Sequence, residues 1–127
     1  MTFAHERLDA WQQAMQMVIL VYRATGQFPS HEQFGLISQL RRAAVSVPVN
    51  IAEGKGRYHK KEFVQFLYHA RGSLYEVITL LKLSLELGYL NREQHQELIQ
   101  RGQRIFSKLT GLINSLKAPA YSLEPTA

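Results

Sequence analysis

KKEFVQFLYHARGSLYEVITLLKLSLEL, residues 60 to 87, decides the fold. Within it Phe63, Leu67, Ala70, Leu74, Val77 and Leu81 follow one another at alternating spacings of four and three. Those spacings set them on one stripe of a 3.6-residue helix, whereas a strand would bring an apolar residue to every second position. The segment therefore reads as a long amphipathic helix from about Lys60 to Leu87, stopped by Gly88. Upstream, Leu36, Leu40, Ala43, Val47 and Ile51 form the inward stripe of a second helix. Pro48 lies inside it, removes one N–H donor and crowds the carbonyl of Ala44, so a kink is expected there. The stripe keeps its phase from Val47 to Ile51, which argues against a break.

The punctuation on either side defines two more helices. Ser30 with Gln33 reads as a capping box opening the second helix, and Gly54 stands where a left-handed C-terminal cap calls for glycine. Before it, Leu8, Trp11, Met15, Val18 and Tyr22 line one face of a first helix that ends at Gly26. Beyond Gly88, Asn91 with Gln94 offers a capping box for a fourth helix, in which Leu98, Gly102, Ile105, Leu109, Leu112 and Leu116 continue the seam. Glu93 and Glu97 near its start and Arg104, Lys108 and Lys117 towards its end match the helix dipole. Short connections between helices of this length favour antiparallel neighbours. The expected architecture is an all-α, antiparallel up-down-up-down four-helix bundle over residues 1–117, with the second helix kinked near Pro48. Residues 118–127 hold two prolines and little periodicity, and are expected to form a mobile C-terminal tail.

Composition excludes several classes of function. The chain has 127 residues, about one domain's worth, with 46% hydrophobic and 20% charged residues, too apolar for a disordered chain. Its longest apolar run, Met17 to Tyr22, falls far short of the ~20 residues that span a membrane, so no membrane partner is expected. Met1 to Asp9 lead into no apolar signal core, and the expected location is the cytoplasm. Cysteine is absent, which removes disulfides, thiolate nucleophiles and cysteine-held metal sites. Histidines stand at positions 5, 31, 59, 69 and 95, none with a carboxylate three residues before it, so the paired ligands of a di-iron bundle are missing. Neither His-Glu-x-x-His nor Gly-x-Ser-x-Gly occurs, and Gly54-Lys55-Gly56 follows a helix and lacks the spacing of a nucleotide loop. No catalytic residues, metal or cofactor are expected.

Charge is concentrated. The net formal charge is +5, and the stretch from Arg41 to Arg71, with seven basic residues against Glu53 and Glu62, carries all of it. The loop after the second helix puts Lys55, Arg57, Lys60 and Lys61 beside a helix amino terminus, where free N–H groups and the dipole favour phosphate. Tyr58 is placed to stack on an exposed base, and Arg41 and Arg42 are candidate assistants. The plain alternative is a solvated basic connector.

Two further patterns sit on the second helix. Arg42, Ser46, Asn50 and Glu53 are spaced four, four and three, along one edge, and read as a hydrogen-bond ladder fixing helix register, with Glu76 joining from the third helix. Gly72 and Ser73 read as small residues that let two helices approach. Val45 and Val49 lie away from the inward stripe, and Met17 to Tyr22 is apolar all round. A helix apolar on two faces is usually buried on two, which points to self-association through Val45 and Val49.

The stretch from Gln39 to Gly54, with its core Pro48-Val49-Asn50-Ile51-Ala52-Glu53-Gly54, resembles the four-helix-bundle family named for proteins encoded in intervening sequences of bacterial 23S ribosomal RNA genes. Gly56-Arg57, Glu62-Phe63, Phe66-Leu67, Gly72-Ser73-Leu74 and Glu76 extend the likeness, as do Leu8, Trp11, Tyr22 and Phe28-Pro29, so that it covers about Leu8 to Lys117. The resemblance implies a bundle that assembles into a ring-like homo-oligomer, commonly a homopentamer, without established enzymatic activity. Distant relatives that accompany retroelement reverse transcriptases bind nucleic acid through a basic surface. Two positions depart from the pattern: His59 stands where the family usually has a capping serine, and Val49 where it has a small residue. The functional expectation is a non-catalytic homo-oligomeric module that binds RNA or DNA through the basic loop without strong sequence preference. The alternative is an oligomeric scaffold or accessory protein that binds another protein.

Overall fold

The computed structural model describes residues 2–118. After a 3-10 turn at Ala4–Arg7 come α1 (Asp9–Thr25), a second 3-10 turn at Ser30–Glu32, α2 (Leu36–Lys55), α3 (Lys60–Glu86) and α4 (Arg92–Lys117). No strand occurs among the described residues. At 1.5 Å per residue α3 is about 40 Å long and sets the length of the molecule. The expected tail lies outside the described residues, apart from Ala118.

Side-chain contacts fix the direction of each helix. Ser46 of α2 meets Ser73 of α3, and Gly54 meets Phe63 and Phe66, so position rises in one helix as it falls in the other. Between α3 and α4, Tyr68 meets Lys117, Arg71 meets Thr110, and Ile78 meets Gly102. Between α1 and α4, Asp9 pairs with Lys108 and Gln16 accepts from Arg101. Each pair of neighbours is antiparallel, and α1 closes the ring onto α2 where Arg41 reaches Tyr22 and Thr25.

The stripes of α2 and α3 are buried from end to end, with Leu40, Ile51, Leu67, Ala70, Leu74, Val77 and Leu81 fully enclosed. In α4 the seam runs through Leu98, Gly102, Ile105 and Leu109 and then passes to Ile113, leaving Leu112 half-buried. A straight helix drifts against a seven-residue repeat, and by its last turns the inward position has moved on by one. In α1 the buried row is Ala10, Ala14, Met17, Val21 and Thr25. The expected row of Leu8, Trp11, Met15, Val18 and Tyr22 is instead turned aside from the core, with Leu8, Trp11 and Val18 half-buried and Met15 and Tyr22 exposed. The two alanines carry little hydrophobic weight in a sequence pattern, yet they give α1 its place against the core.

Three local expectations are corrected. Gly54 is no left-handed cap: α2 continues to Lys55, Gly56 follows in right-handed geometry, and Gly54 is buried because a Cβ there would lie 2.6 Å from Cβ of Phe66. Ser30 and Gln33 belong to a 3-10 turn and its end, and α2 opens later, with the Leu36 N–H donating to Oε1 of Glu32 at 3.2 Å. Gly72 faces open space, so the close approach of α2 and α3 belongs to Gly54, while Ser73 does bridge to α2. Pro48 is buried within an unbroken α2. Gly88, at φ +82, is the only described residue with positive φ, and it ends α3 as glycine can.

Candidate nucleic-acid interface

The α2–α3 turn is built by hydrogen bonds that leave its side chains free. Gly56 N–H donates to Ala52 O at 3.2 Å and Arg57 N–H to Gly54 O at 3.1 Å, which closes α2 and reverses the chain within four residues. The absent side chain at Gly54 lets the two helices meet tightly just below, so the turn projects as one end of the bundle. Lys55 lies over the ring of Phe63 at 5.7 Å, and Arg57 over Phe66 at 4.8 Å. Tyr58 is 93% exposed, with its ring edge-on to His59. Lys60 and Lys61 are exposed on the first turn of α3.

No ion pair among the described residues engages the cations of the turn, although Glu62 stands beside Lys61 in the first turn of α3. Among the described residues the ion pairs are Lys82 with Glu86 and Lys108 with Asp9, so none of Lys55, Arg57, Lys60 and Lys61 has a carboxylate partner. His59 occupies the N-cap position of α3 in extended geometry, φ −101 and ψ 139, but its side chain makes no capping bond. The first-turn N–H groups of α3 thus keep their donors, and the positive end of the helix dipole adds to four cations. Such a surface attracts phosphate.

The structure does not bring every candidate to this place. Arg41 and Arg42 lie thirteen or more residues back along α2, about 20 Å from Lys55. Arg41 is also occupied: Nε donates to Oγ1 of Thr25 at 2.9 Å, Nη2 donates to the Tyr22 carbonyl at 3.3 Å, and the guanidinium lies 4.4 Å over the Tyr22 ring. It holds the end of α1 and is not part of the cationic turn. Arg42 is exposed, remote from the turn, and without a hydrogen-bond or ion-pair partner among the described residues.

The ladder on α2 forms only at its centre. Ser46 and Ser73 share a hydrogen bond of 2.8 Å, and Asn50 Nδ2 donates to both the carbonyl and the hydroxyl of Ser46 at 2.8 and 2.9 Å. Arg42, Glu53 and Glu76 are exposed and take no part. Their spacing puts them on the right edge, but their length carries the charged ends into solvent, where water satisfies them more cheaply. Val45 is half-buried and Val49 is 44% exposed, and on α1 Ile19 is 49% exposed.

Two groupings have no counterpart in the sequence reading. The carboxylate of Glu32 accepts from the Leu36 N–H and, through Oε2, from the Tyr89 hydroxyl at 2.9 Å, clasping the α1–α2 connection to the α3–α4 turn. On the α3–α4 flank, Arg71 lies 5.0 Å from the Tyr68 ring and 5.6 Å from that of Phe106, with Nη1 donating to Oγ1 of Thr110. A periodic signal for the second existed, in Tyr68, Arg71 and Tyr75 at spacings of three and four. For the first there was none, because its partners are 57 residues apart. No group of three or more His, Cys, Asp or Glu among the described residues is placed to hold a metal ion. No helix among them is long and apolar enough to cross a membrane.

Fold and site together define a four-helix bundle with a cationic turn at one end that has no ion-pair partner among the described residues. The chain belongs to the family described as 23S rRNA-intervening sequence protein, which it matches over residues 6–111. A solved structure from Bacteroides thetaiotaomicron, a protein with unknown function from the S23 ribosomal protein family, is similar in fold, with a TM-score of 0.76. The two share 20% sequence identity over 83% of this chain and 95% of that one. Among curated proteins none matches the sequence.

Proposed function

We propose that this protein is a non-catalytic, homo-oligomeric cytoplasmic module that binds RNA or DNA through its α2–α3 turn without strong sequence preference. The observation that carries this reading is the set of four cations, Lys55, Arg57, Lys60 and Lys61, with no carboxylate partner among the described residues, beside an uncapped helix amino terminus. Backbone phosphates answer that chemistry, and a contact made to phosphate carries no base information. Self-association would multiply the cationic turn by the number of subunits, so weak single sites add to a useful whole.

Retardation of single- and double-stranded nucleic acid by the purified protein should be strong at low salt and weaken steeply as salt rises. Each phosphate neutralised contributes about 0.9 to the logarithmic slope on duplex DNA and about 0.7 on single strands. Replacing Lys55, Arg57, Lys60 and Lys61 together by Gln should flatten that slope while the helical spectrum and the particle mass stay as they are. Equal binding by parent and variant, or none by the parent, would leave the turn a solvated connector. The second reading, an oligomeric scaffold for another protein, would then lead, and the exposed apolar residues Met15, Ile19 and Val49 are what favours it.

A further inference from the structure

We infer that the nucleic acid is taken up as a single strand, with unpaired bases stacked on Tyr68 and Tyr75 along the α4-facing flank of α3; this rests on the reading of the basic turn given above. Tyr58, Tyr68 and Tyr75 are 93%, 36% and 55% exposed. Tyr68 and Tyr75 lie seven residues apart on α3, which is two helical turns, or about 10 Å. Arg71 and Lys117 lie over the Tyr68 ring at 5.0 and 5.6 Å, and a Cβ added at Gly72 would meet nothing within 4 Å, so the helix surface is open at Gly72 itself. Lys61, on the same stripe of α3, continues this line back to the cationic turn.

Cations are held against the same rings. Lys117 Nζ donates to the Tyr68 hydroxyl at 3.1 Å, and Arg71 is fixed between Tyr68 and Phe106 by its bond to Thr110. Tyr75 and Phe106 meet in a T-shaped contact, with ring centroids 5.5 Å apart, so that the Tyr75 ring is braced by its neighbour. The sequence of α4 has no carboxylate after Glu97; of the cations that follow, Lys117 lies at this flank, whereas Arg101 and Lys108 turn to Gln16 and Asp9 of α1. Lys61, Gln65, Tyr68, Gly72 and Tyr75, one stripe of α3, also include no carboxylate. A track of cations interleaved with exposed rings suits a strand whose phosphates and base faces are both free. A duplex hides its base faces and would touch the cations alone.

The flank also stands apart from the exposed apolar residues Ile19 and Val49 of α1 and α2, because Tyr68, Arg71 and Tyr75 all turn towards α4. Binding and self-association therefore need not compete for one surface.

The full chain should be titrated against labelled oligo(dT), oligo(U) and a blunt DNA duplex of the same length, by anisotropy at one low salt concentration. The double substitution Tyr68→Ser and Tyr75→Ser should weaken binding of both single strands by about tenfold or more, from stacking worth about 1–3 kcal/mol per base. Duplex affinity should not change, and Tyr68→Phe with Tyr75→Phe should keep single-strand binding, because the ring is retained. An equal loss on duplex and single strands, no loss at all, or a fall in particle mass on the serine substitutions would overturn the inference, the last by showing that the flank is covered by a second copy. If the double variant binds as the parent does while the four-Gln variant loses binding, stacking on α3 fails and the basic turn stands. If the parent binds none of the three, both fail.

Discussion

Gly54 and Gly72 look alike in a sequence, one small residue on each of two neighbouring helices, and they answer to opposite constraints. An alanine at 54 would set its Cβ 2.6 Å from Cβ of Phe66 and 2.9 Å from Cδ1 of Phe63. The Phe66 Cβ is tied to its backbone, so relief requires α2 and α3 to part. Overpacking of this kind costs about 1–3 kcal/mol, more than the better helix propensity of alanine returns. Gly54→Ala should therefore lower the midpoint of thermal or urea unfolding. Gly72→Ala should raise it, because the new methyl meets nothing within 4 Å and an exposed helical glycine gives away roughly 0.5–1 kcal/mol. A midpoint shift of the same sign in both variants would contradict this account. The polar ladder carries a similar lesson: Ser46, Asn50 and Ser73 are short enough to bond between backbones, whereas Arg42, Glu53 and Glu76 reach past them into water.

Helices α3 and α4 begin differently. Asn91 accepts from the Gln94 N–H at 2.8 Å while the Gln94 side chain accepts from the Asn91 N–H at 2.9 Å, so α4 starts with a complete capping box. Asn91→Ala should destabilise by about 1 kcal/mol. At the start of α3 His59 has the extended backbone of an N-cap without its bond, and His59→Ser should stabilise by a comparable amount, read as a higher melting midpoint. The clasp at the other end of the bundle gives a pH dependence. The Leu36 N–H first, and the Tyr89 hydroxyl second, hold the carboxyl of Glu32 below its ordinary value of 4.5. The unfolded chain thus takes up this proton at higher pH than the native one, so the stabilisation is complete above the ordinary value and is lost as pH falls through the native one. Glu32→Gln should be less stable than the parent at neutral pH, and the gap should close in acid; a gap independent of pH would assign the effect to packing. Periodicity made the four helices legible, as did Gly88 and the Asn91 cap, because these are local. The clasp was not, since Glu32 and Tyr89 meet only once the bundle has formed, and neither was the true inward row of α1, whose Ala10 and Ala14 matter through their small size.

At the scale of the whole molecule, the bundle has a cationic turn at one end and an outward apolar set on α1 and α2, the second being the surface proposed for self-association. Ile19 and Val49 are 49% and 44% exposed, large aliphatic groups whose transfer out of water is worth about 1.5–3 kcal/mol each when complete. Singly such residues are ordinary on a surface. Met15 and Tyr22 on α1 and half-buried Val45 on α2 turn them into a set, and a second copy of the chain, displaying the same residues, is the occupant proposed for it. The choice of variant follows from burial. Val45→Glu would force a carboxylate into partly enclosed space and confuse unfolding with dissociation. Val49→Glu, alone or with Ile19→Glu, places it in water in the separate chain and in an apolar contact in the assembly. Light scattering of the parent at micromolar concentration should give a mass several times 14.6 kDa. The Val49→Glu protein should fall towards one chain's mass with its helical spectrum unchanged, and its nucleic-acid binding should weaken because linked turns act together. A monomeric parent would remove self-association from the proposed function, and an assembly unmoved by both substitutions would place the contact on another face.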